Sequence, residues 1–423
     1  MKAAIARAAY GALLRLATPV YLARLWWRGR HEPLYREHWA ERLGGFYGAP
    51  GTGRLWLHAV SLGETRAAEP LIEALRAQRP GLRLLLTHST ATGREAGAAL
   101  LRDGDLQAWL PYDTPGAVRR FLRRHRPLVG VVMETEIWPN LLAAARRARV
   151  PVALANARLS EKSLGKGRRL DALMRPAVAS LRCVLAQTEA DAQRLRDVGA
   201  TAVQVMGNLK FDMAPAPAQV AQGQAWRAAI ARPVVLAAVT REGEETPLLA
   251  AWAALAVPRP LLLLVPRHPQ RFDAVAALVA AAGLSLQRRS AWGDTPAPEA
   301  AAADVWLGDS MREMPLYYGA ADVALLGGSF EPLGGQNLIE AAACGCPLLM
   351  GPHTFNFAQA AQMSLAAGAA LRVAGIGEAV TRAVALLADP AREAMAQRAL
   401  AFAAQHRGAA ERMAREIVAL LPD

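Results

Sequence analysis

Residues Leu55 to Glu73 read LWLHAVSLGETRAAEPLIE, and the order of these residues decides the fold. Leu55–Val60 is an apolar run with Trp56 and His58 interleaved, as expected of a strand inside a parallel sheet. Ser61–Gly63 forms a turn, and a helical pattern opens on Glu64. A carboxylate at a strand-to-helix junction sits at the carboxyl edge of a sheet, where open α/β sheets gather their ligands. Two roles are open to Glu64 on this spacing. It can cap the helix and satisfy the macrodipole, or it can serve as a general base that the backbone N–H groups keep ionised.

The same rhythm extends along the chain. Strand-like runs at Leu82–Thr87, Ala108–Pro111, Leu128–Met133, Val152–Asn156, Cys183–Gln187 and Val203–Gly207 alternate with helical patterns. A second series begins at Val234–Ala238 and continues at Leu261–Val265, Leu284–Arg288, Val305–Leu307, Val323–Gly327 and Pro347–Met350. Alternation of this kind predicts parallel, doubly wound sheets. Between the two series, DMAPAPAQVAQGQ (212–224) has no apolar period and reads as a linker. The expected organisation is therefore an N-terminal helical segment (1–30), a Rossmann-like domain (31–212), a linker (213–224) and a second Rossmann-like domain (225–423). The two domains are expected to face each other across a cleft, with the last helix free to return to the first.

Composition narrows the function. The chain is 53% apolar but only 6% aromatic, which indicates an Ala/Leu/Val-rich α/β protein and excludes a disordered one. A formal net charge of +13 favours an anionic partner. The arginines are scattered, as in Arg123–Arg126 and Arg146–Arg149, and do not interleave with aromatics, which counts against nucleic acid. Cys183, Cys344 and Cys346 have neither disulfide-framework nor zinc spacing, so reduced thiols in a cytosolic compartment are expected. In the N-terminal segment, Ile5, Ala8, Ala12, Leu16, Val20, Ala23 and Trp27 step by three and four into one apolar stripe. Arg7, Arg15 and Arg24 interrupt the run, and an Arg inside a span costs about 2.5–3.5 kcal/mol on insertion scales. A basic amphipathic helix lying on an anionic membrane surface fits better than a span, and an ordinary surface helix packed on its own domain is the other option.

Polar motifs recur where strands end. Gly327-Gly328-Ser329 follows one strand, and Gly334-Gly335-Gln336-Asn337 precedes a helix with Glu340 in its first turn; such glycines let backbone N–H groups approach a phosphate. Glu340 could hold a neighbouring ribose. Pro266-Arg267-His268-Pro269 presents a planar guanidinium on a stiff loop, with His268 as a general acid or a hydrogen-bond donor to phosphate. Glu134-Thr135-Glu136 with Trp138 and Pro139 reads as a rigid rim. P-loop and dinucleotide fingerprints are absent, which weakens nucleotide hydrolysis and hydride transfer as readings.

Taken in order, HAVSLGE (58–64), METEIWPN (133–140), NARLSEKS (156–163), GNLKFD (207–212), VPRHPQRF (265–272), GDSMREM (308–314), GGSFEPLGGQNLIE (327–340) and GPHTFNF (351–357) resemble the 3-deoxy-D-manno-octulosonic acid (Kdo) transferases of Gram-negative bacteria. The resemblance covers nearly the whole chain. It implies the GT-B glycosyltransferase fold and an inverting, metal-independent transfer of Kdo, with CMP-Kdo as donor and no other cofactor. The implied acceptor is a lipid A precursor, a phosphorylated and acylated glucosamine disaccharide, at the cytoplasmic face of the inner membrane. By the same resemblance Glu64 is the catalytic base and Glu134 a second essential acid near the acceptor. Lys210 and Arg267 are the cations facing the CMP phosphate and the sugar carboxylate. Gly308, Met311 and Glu313, with Gly327, Gly328, Ser329, Asn337 and Glu340, form the nucleotide side, to which the loop readings add Pro266, His268 and Gln336. Two positions depart from the family pattern. Ala238-Val239-Thr240-Arg241 replaces a Ser-Thr-His-like segment, and Arg312 stands where a glycine is usual. Rival readings are a GT-B enzyme using a UDP-sugar, either transferase or epimerase, and a catalytically silent membrane lipid-binding protein.

Overall fold

Each of the apolar runs above becomes a strand in the computed structural model, which describes residues 1–45 and 52–422. The first series gives β1 (Leu55–His58), β2 (Leu84–His88), β3 (Leu106–Trp109), β4 (Val129–Met133), β5 (Val152–Ala157), β6 (Cys183–Ala186) and β7 (Val203–Val205). They pair in parallel in the order β3-β2-β1-β4-β5-β6-β7. The second gives β8 (Val234–Thr240), β9 (Leu261–Pro266), β10 (Leu286–Arg288), β11 (Val305–Leu307), β12 (Val323–Leu326), β13 (Leu348–Met350) and β14 (Ala370–Arg372). Their order is β10-β11-β9-β8-β12-β13-β14, again parallel. In each sheet the chain starts at the centre, winds to one edge and then crosses to the other side. The reversals fall between β1 and β4 and between β8 and β12, the switch points where crevices open at the strands' carboxyl ends.

The chain divides into two units, Met1–Met213 with Arg407–Asp423, and Ala214–His406. This revises the expected boundaries in two places. The first thirty residues are not a separate body: the Lys2–Arg28 helix lies on the first unit. Gly11 is buried there, and a Cβ on it would stand 3.0 Å from the Pro115 ring. Tyr10 hydrogen-bonds the carboxylate of Asp113, which also accepts from the N–H groups of Asn140 and Leu141 at 3.0 and 2.7 Å. Burial pushes the Asp113 carboxyl up to about 7. Tyr21 stacks on Tyr112, and Trp26 meets Trp39 edge-on.

The second revision concerns the expected linker, most of which is the start of a helix, Pro217–Ile230. Its contact with the Met314–Ala320 helix uses glycine rather than large apolar side chains, which is why no apolar period was visible. A Cβ on Gly223 would lie 2.0 Å from the Leu316 carbonyl oxygen, and one on Gly319 would lie 2.5 Å from that of Val220. The last helix, Ala409–Val418, returns to the first unit, where Met413 and Ile417 join the core formed by Leu71 and Leu75 of the Leu62–Gln78 helix. A second core fills the other face of the same sheet beneath the helices Pro115–His125 and Pro139–Arg147. Among the described residues no helix is long and apolar enough to cross a membrane.

Candidate functional site

In the first unit the strand ends bring the acids together. Ser61 caps the Leu62–Gln78 helix, and Glu64 in its first turn reaches back to accept from the Val60 N–H at 2.8 Å. The Ser61 and Glu64 side chains lie 3.4 Å apart, so the motif is a capping box displaced by one residue. The cap does not keep Glu64 fully ionised, contrary to expectation. Burial raises its carboxyl to about 7, with Glu134 and Glu136 adding to the rise and outweighing the Val60 and Ser61 hydrogen bonds. Its carboxyl is thus moved from the ordinary carboxylate range toward neutral pH, the range in which a general base works best.

Glu134 follows β4 at the other side of the switch point. It is buried with a left-handed backbone, φ 56°, a conformation uncommon outside glycine and concentrated at functional sites. Arg158, after β5, donates from Nε to its carboxylate at 2.9 Å. Asn156 is also left-handed, φ 52°, and accepts from the Leu209 N–H at 3.1 Å. That contact, with Asn208 accepting from the Lys210 N–H at 3.0 Å, holds the Leu209–Asp212 turn against the end of β5. Lys210 thus sits in the field of Glu134, Arg158 and Glu64, and its own burial lowers its pKa. Glu64, Glu134 and Lys210 lie within one another's electrostatic reach.

Two members of this site were not singled out from sequence. Glu136 is half-buried and its pKa is raised by burial, with Glu134 adding. His58, fully buried in β1, turns Nδ1 to the Thr87 carbonyl at 3.0 Å and Nε2 toward Glu136 at 4.0 Å. Burial drops His58 to about 3, so the ring is neutral. Only the pairing of β1 with β2 and β4 brings these groups together, and local sequence carries no sign of it.

In the second unit the strand ends form a row in the order β11, β9, β8, β12. Arg267 and His268 are exposed after Pro266 at the end of β9, and the Arg267 N–H is bonded to the Thr240 carbonyl at 2.9 Å. Partial burial and the neighbouring Arg241, Arg267 and Arg271 lower the His268 pKa. Val239 is left-handed, φ 59°, at a register shift between β8 and β9. A β-branched residue there is a backbone outlier, and Arg241 follows it at the switch point. Gly327 is required where β12 passes β8, since a Cβ would lie 2.3 Å from the Val239 carbonyl oxygen. Gly328, φ 68°, neighbours Gln336 and Arg241.

The glycine loop is organised by a residue the sequence reading passed over. Glu244 is buried and accepts from the N–H groups of Arg241 and Gly328 at 2.8 Å each and of Phe330 at 3.1 Å. Burial raises its pKa despite those three bonds. The N–H groups of Gly328 and Phe330, expected to meet a phosphate, are thus already used. Ser329 is fully buried, donates to the Leu326 carbonyl and accepts from the Gly351 N–H at 2.8 Å, so its hydroxyl is committed within the loop. Gly308 is a packing glycine, its missing Cβ position 2.8 Å from Val265. Glu313 forms a two-pronged ion pair with Arg289 at 3.1 and 2.9 Å, while Met311 is exposed. Arg312 has φ 67°, which accounts for the usual glycine at this position. Asn337 caps the Leu338–Ala343 helix, and half-buried Glu340 lies in its first turn.

Comparison with known proteins gives one consistent answer. A family model described as 3-deoxy-D-manno-octulosonic-acid transferase (kdotransferase) matches residues 37–213. A Bordetella pertussis protein named 3-deoxy-D-manno-octulosonic acid transferase is 51% identical over 421 residues, spanning 96% of this chain and 97% of its own. A Haemophilus influenzae protein of the same name is 34% identical over 415 residues, 96% of each. Among solved structures, Anabaena HepE in complex with UDP is 14% identical with a TM-score of 0.58, covering 87% of this chain and 100% of that one. That likeness concerns the fold alone, which is the two-unit α/β architecture of GT-B glycosyltransferases.

Proposed function

The chain belongs to the 3-deoxy-D-manno-octulosonic acid transferase family, glycosyltransferases that move Kdo in lipopolysaccharide core biosynthesis, and from that premise we propose how its residues carry the transfer. CMP-Kdo is the donor and a hydroxyl of a phosphorylated, acylated lipid A precursor is the acceptor. Glu64 takes the acceptor proton as the new oxygen–carbon bond forms at the anomeric carbon of Kdo. The bond to the CMP phosphate breaks with inversion, and CMP leaves carrying the electron pair. The observation that carries this reading is the placement of half-buried Glu64 at the β1/β4 switch point, held by the Val60 N–H and within the field of Glu134 and Lys210.

The departing phosphate gains negative charge, so it calls for fixed cations rather than a proton. Lys210 and Arg267 are assigned that charge, with Arg241 and His268 beside Arg267. Pro266, Gly308, Gly327, Gly328, Ser329 and Glu313 hold the loops of the nucleotide side, and Met311, Gln336, Asn337 and Glu340 are assigned to donor contact. No metal ion is invoked, and transfer is expected to persist in a chelator. The outward stripe of the N-terminal helix, with Ile5, Leu16, Val20 and Trp27 exposed, is assigned to the anionic cytoplasmic face of the inner membrane.

The deciding experiment replaces Glu64 with Gln and follows Kdo transfer from CMP-Kdo to a lipid A precursor. Turnover is expected to fall by about 10²–10⁴-fold with CMP affinity kept, and undiminished turnover would overturn the base assignment. Calorimetric titration tests the donor: tight UDP binding without CMP binding would favour a UDP-sugar enzyme.

A further inference from the structure

One groove on the first unit does not involve Glu64. It runs between the parallel helices Pro115–His125 and Pro139–Arg147, with a volume of about 620 Å³, within the range of small-ligand sites. Its floor is apolar, made by Val118, Leu122, Leu128, Ala143, Ala144 and Val150. Its rim carries six arginines: Arg7 from the N-terminal helix, Arg119, Arg123 and Arg126 from one side, and Arg147 and Arg149 from the other. No acidic and no aromatic residue lines it. All but Arg7 are exposed, their stems lying over the apolar floor and their charged heads free at the rim.

Four of the six, Arg123, Arg126, Arg147 and Arg149, gather where the helices end. Leu128 and Val150 there precede β4 and β5, so this end lies at the amino edge of the sheet, opposite the edge that carries Glu64.

Six cations over a dry floor select an anion with a hydrocarbon tail. Inorganic phosphate would leave the floor unused, and single-stranded nucleic acid would find no aromatic platform. The N-terminal helix that contributes Arg7 also exposes Ile5, Leu13, Leu16 and Val20, apolar surface of the kind a lipid bilayer would cover. We propose that this groove is a binding site for an anionic phospholipid of the bilayer, one acyl chain lying between the two helices and the phosphate held by the arginine rim. The site is separate from the sugar-transfer centre and does not depend on that reading.

The test uses the full chain with phosphatidylcholine vesicles doped with phosphatidylglycerol that carries a photoreactive group at the end of one acyl chain. Cross-links are expected on peptides covering 115–128 and 140–150. Ala143→Trp, which fills the floor, and the triple variant Arg119→Gln/Arg123→Gln/Arg147→Gln, confined to exposed side chains, should each cut that labelling by about tenfold or more with thermal unfolding unchanged. Four outcomes would overturn the proposal: labels confined to residues 1–30, labelling undiminished in Ala143→Trp, equal labelling by a phosphatidylcholine probe, or displacement by the lipid A precursor, which would make the groove part of the acceptor site.

Discussion

At the ends of β1 and β4 the chain gathers three carboxylates, Glu64, Glu134 and Glu136, around Lys210 and Arg158. At the ends of β8, β9 and β12 it gathers Arg241, Arg267 and Arg271 beside two glycines and one buried acid, Glu244. Both places pin a glutamate to backbone N–H groups, yet the contact serves different ends. Glu64 has one such bond and stays half-buried, so its basicity is available to a ligand. Glu244 has three and is shut away, so its work is done in shaping the loop. A carboxylate on a turn is therefore read by how much of it remains open, and capping a helix does not by itself take an acid out of reach of a ligand.

The sharpest way to break this contrast is to neutralise each acid in turn. Glu64→Gln should lose about 10²–10⁴-fold in turnover yet raise thermal stability above pH 7. The folded pKa of about 7 lies above the ordinary 4.5, so the unfolded chain ionises first and stability falls as pH rises between those values. Removing the titrating group removes that fall, which melting curves at pH 5 and pH 8 would reveal. Glu244→Gln should do the reverse. An amide offers one acceptor oxygen where the loop presents three donors, and a buried donor left unmatched costs about 1–3 kcal/mol. Melting temperature and CMP affinity should fall together; a variant that kept both would remove Glu244 from the loop's support.

A smaller effect sharpens the first unit alone. The pH profile of kcat/KM should rise to a plateau with an inflection near 7, following ionisation of the free enzyme's base, and Glu136→Gln should move that inflection downward by removing a neighbouring negative charge. An inflection that stayed near 7 would place Glu136 outside the coupled group. Smallest is Arg312→Gly in the second unit. It relieves a left-handed backbone worth about 1–2 kcal/mol but adds freedom to the unfolded chain, so a net gain of about 1 kcal/mol or less is expected in chemical denaturation.

Most of the architecture was legible because parallel strands buried on both faces announce themselves as apolar runs. The strand missed, β14, is a three-residue edge whose Leu371 and Arg372 are exposed, so burial left no signature there. Glu64, Glu134, Lys210 and Arg267 could be picked out because each stands within six residues of a strand's carboxyl end, and their roles came from the resemblance. Glu244 was not, because its meaning lies in residues 84 and 86 positions away, and nothing in TREGEE tells it from a solvated charge run. His58 was hidden for the same reason, its partner Glu136 being supplied by the neighbouring strand. The linker reading failed where glycine-to-backbone packing replaced the apolar periodicity on which such readings depend.

The Ala409–Val418 helix has a consequence for the order of events on the ribosome. Its start is held by Asp212, which accepts from the N–H groups of Gly408 and Ala410, and its apolar face covers the Leu62–Gln78 helix. Domains emerging in sequence ordinarily fold as they appear, but here the first unit lacks a wall of its core until the second has been made. For most of synthesis, part of the face that Met413 and Ile417 will cover is open to water, a surface for chaperones to hold. A chain cut after His406 would hold an intact second unit tethered to an unfinished first one.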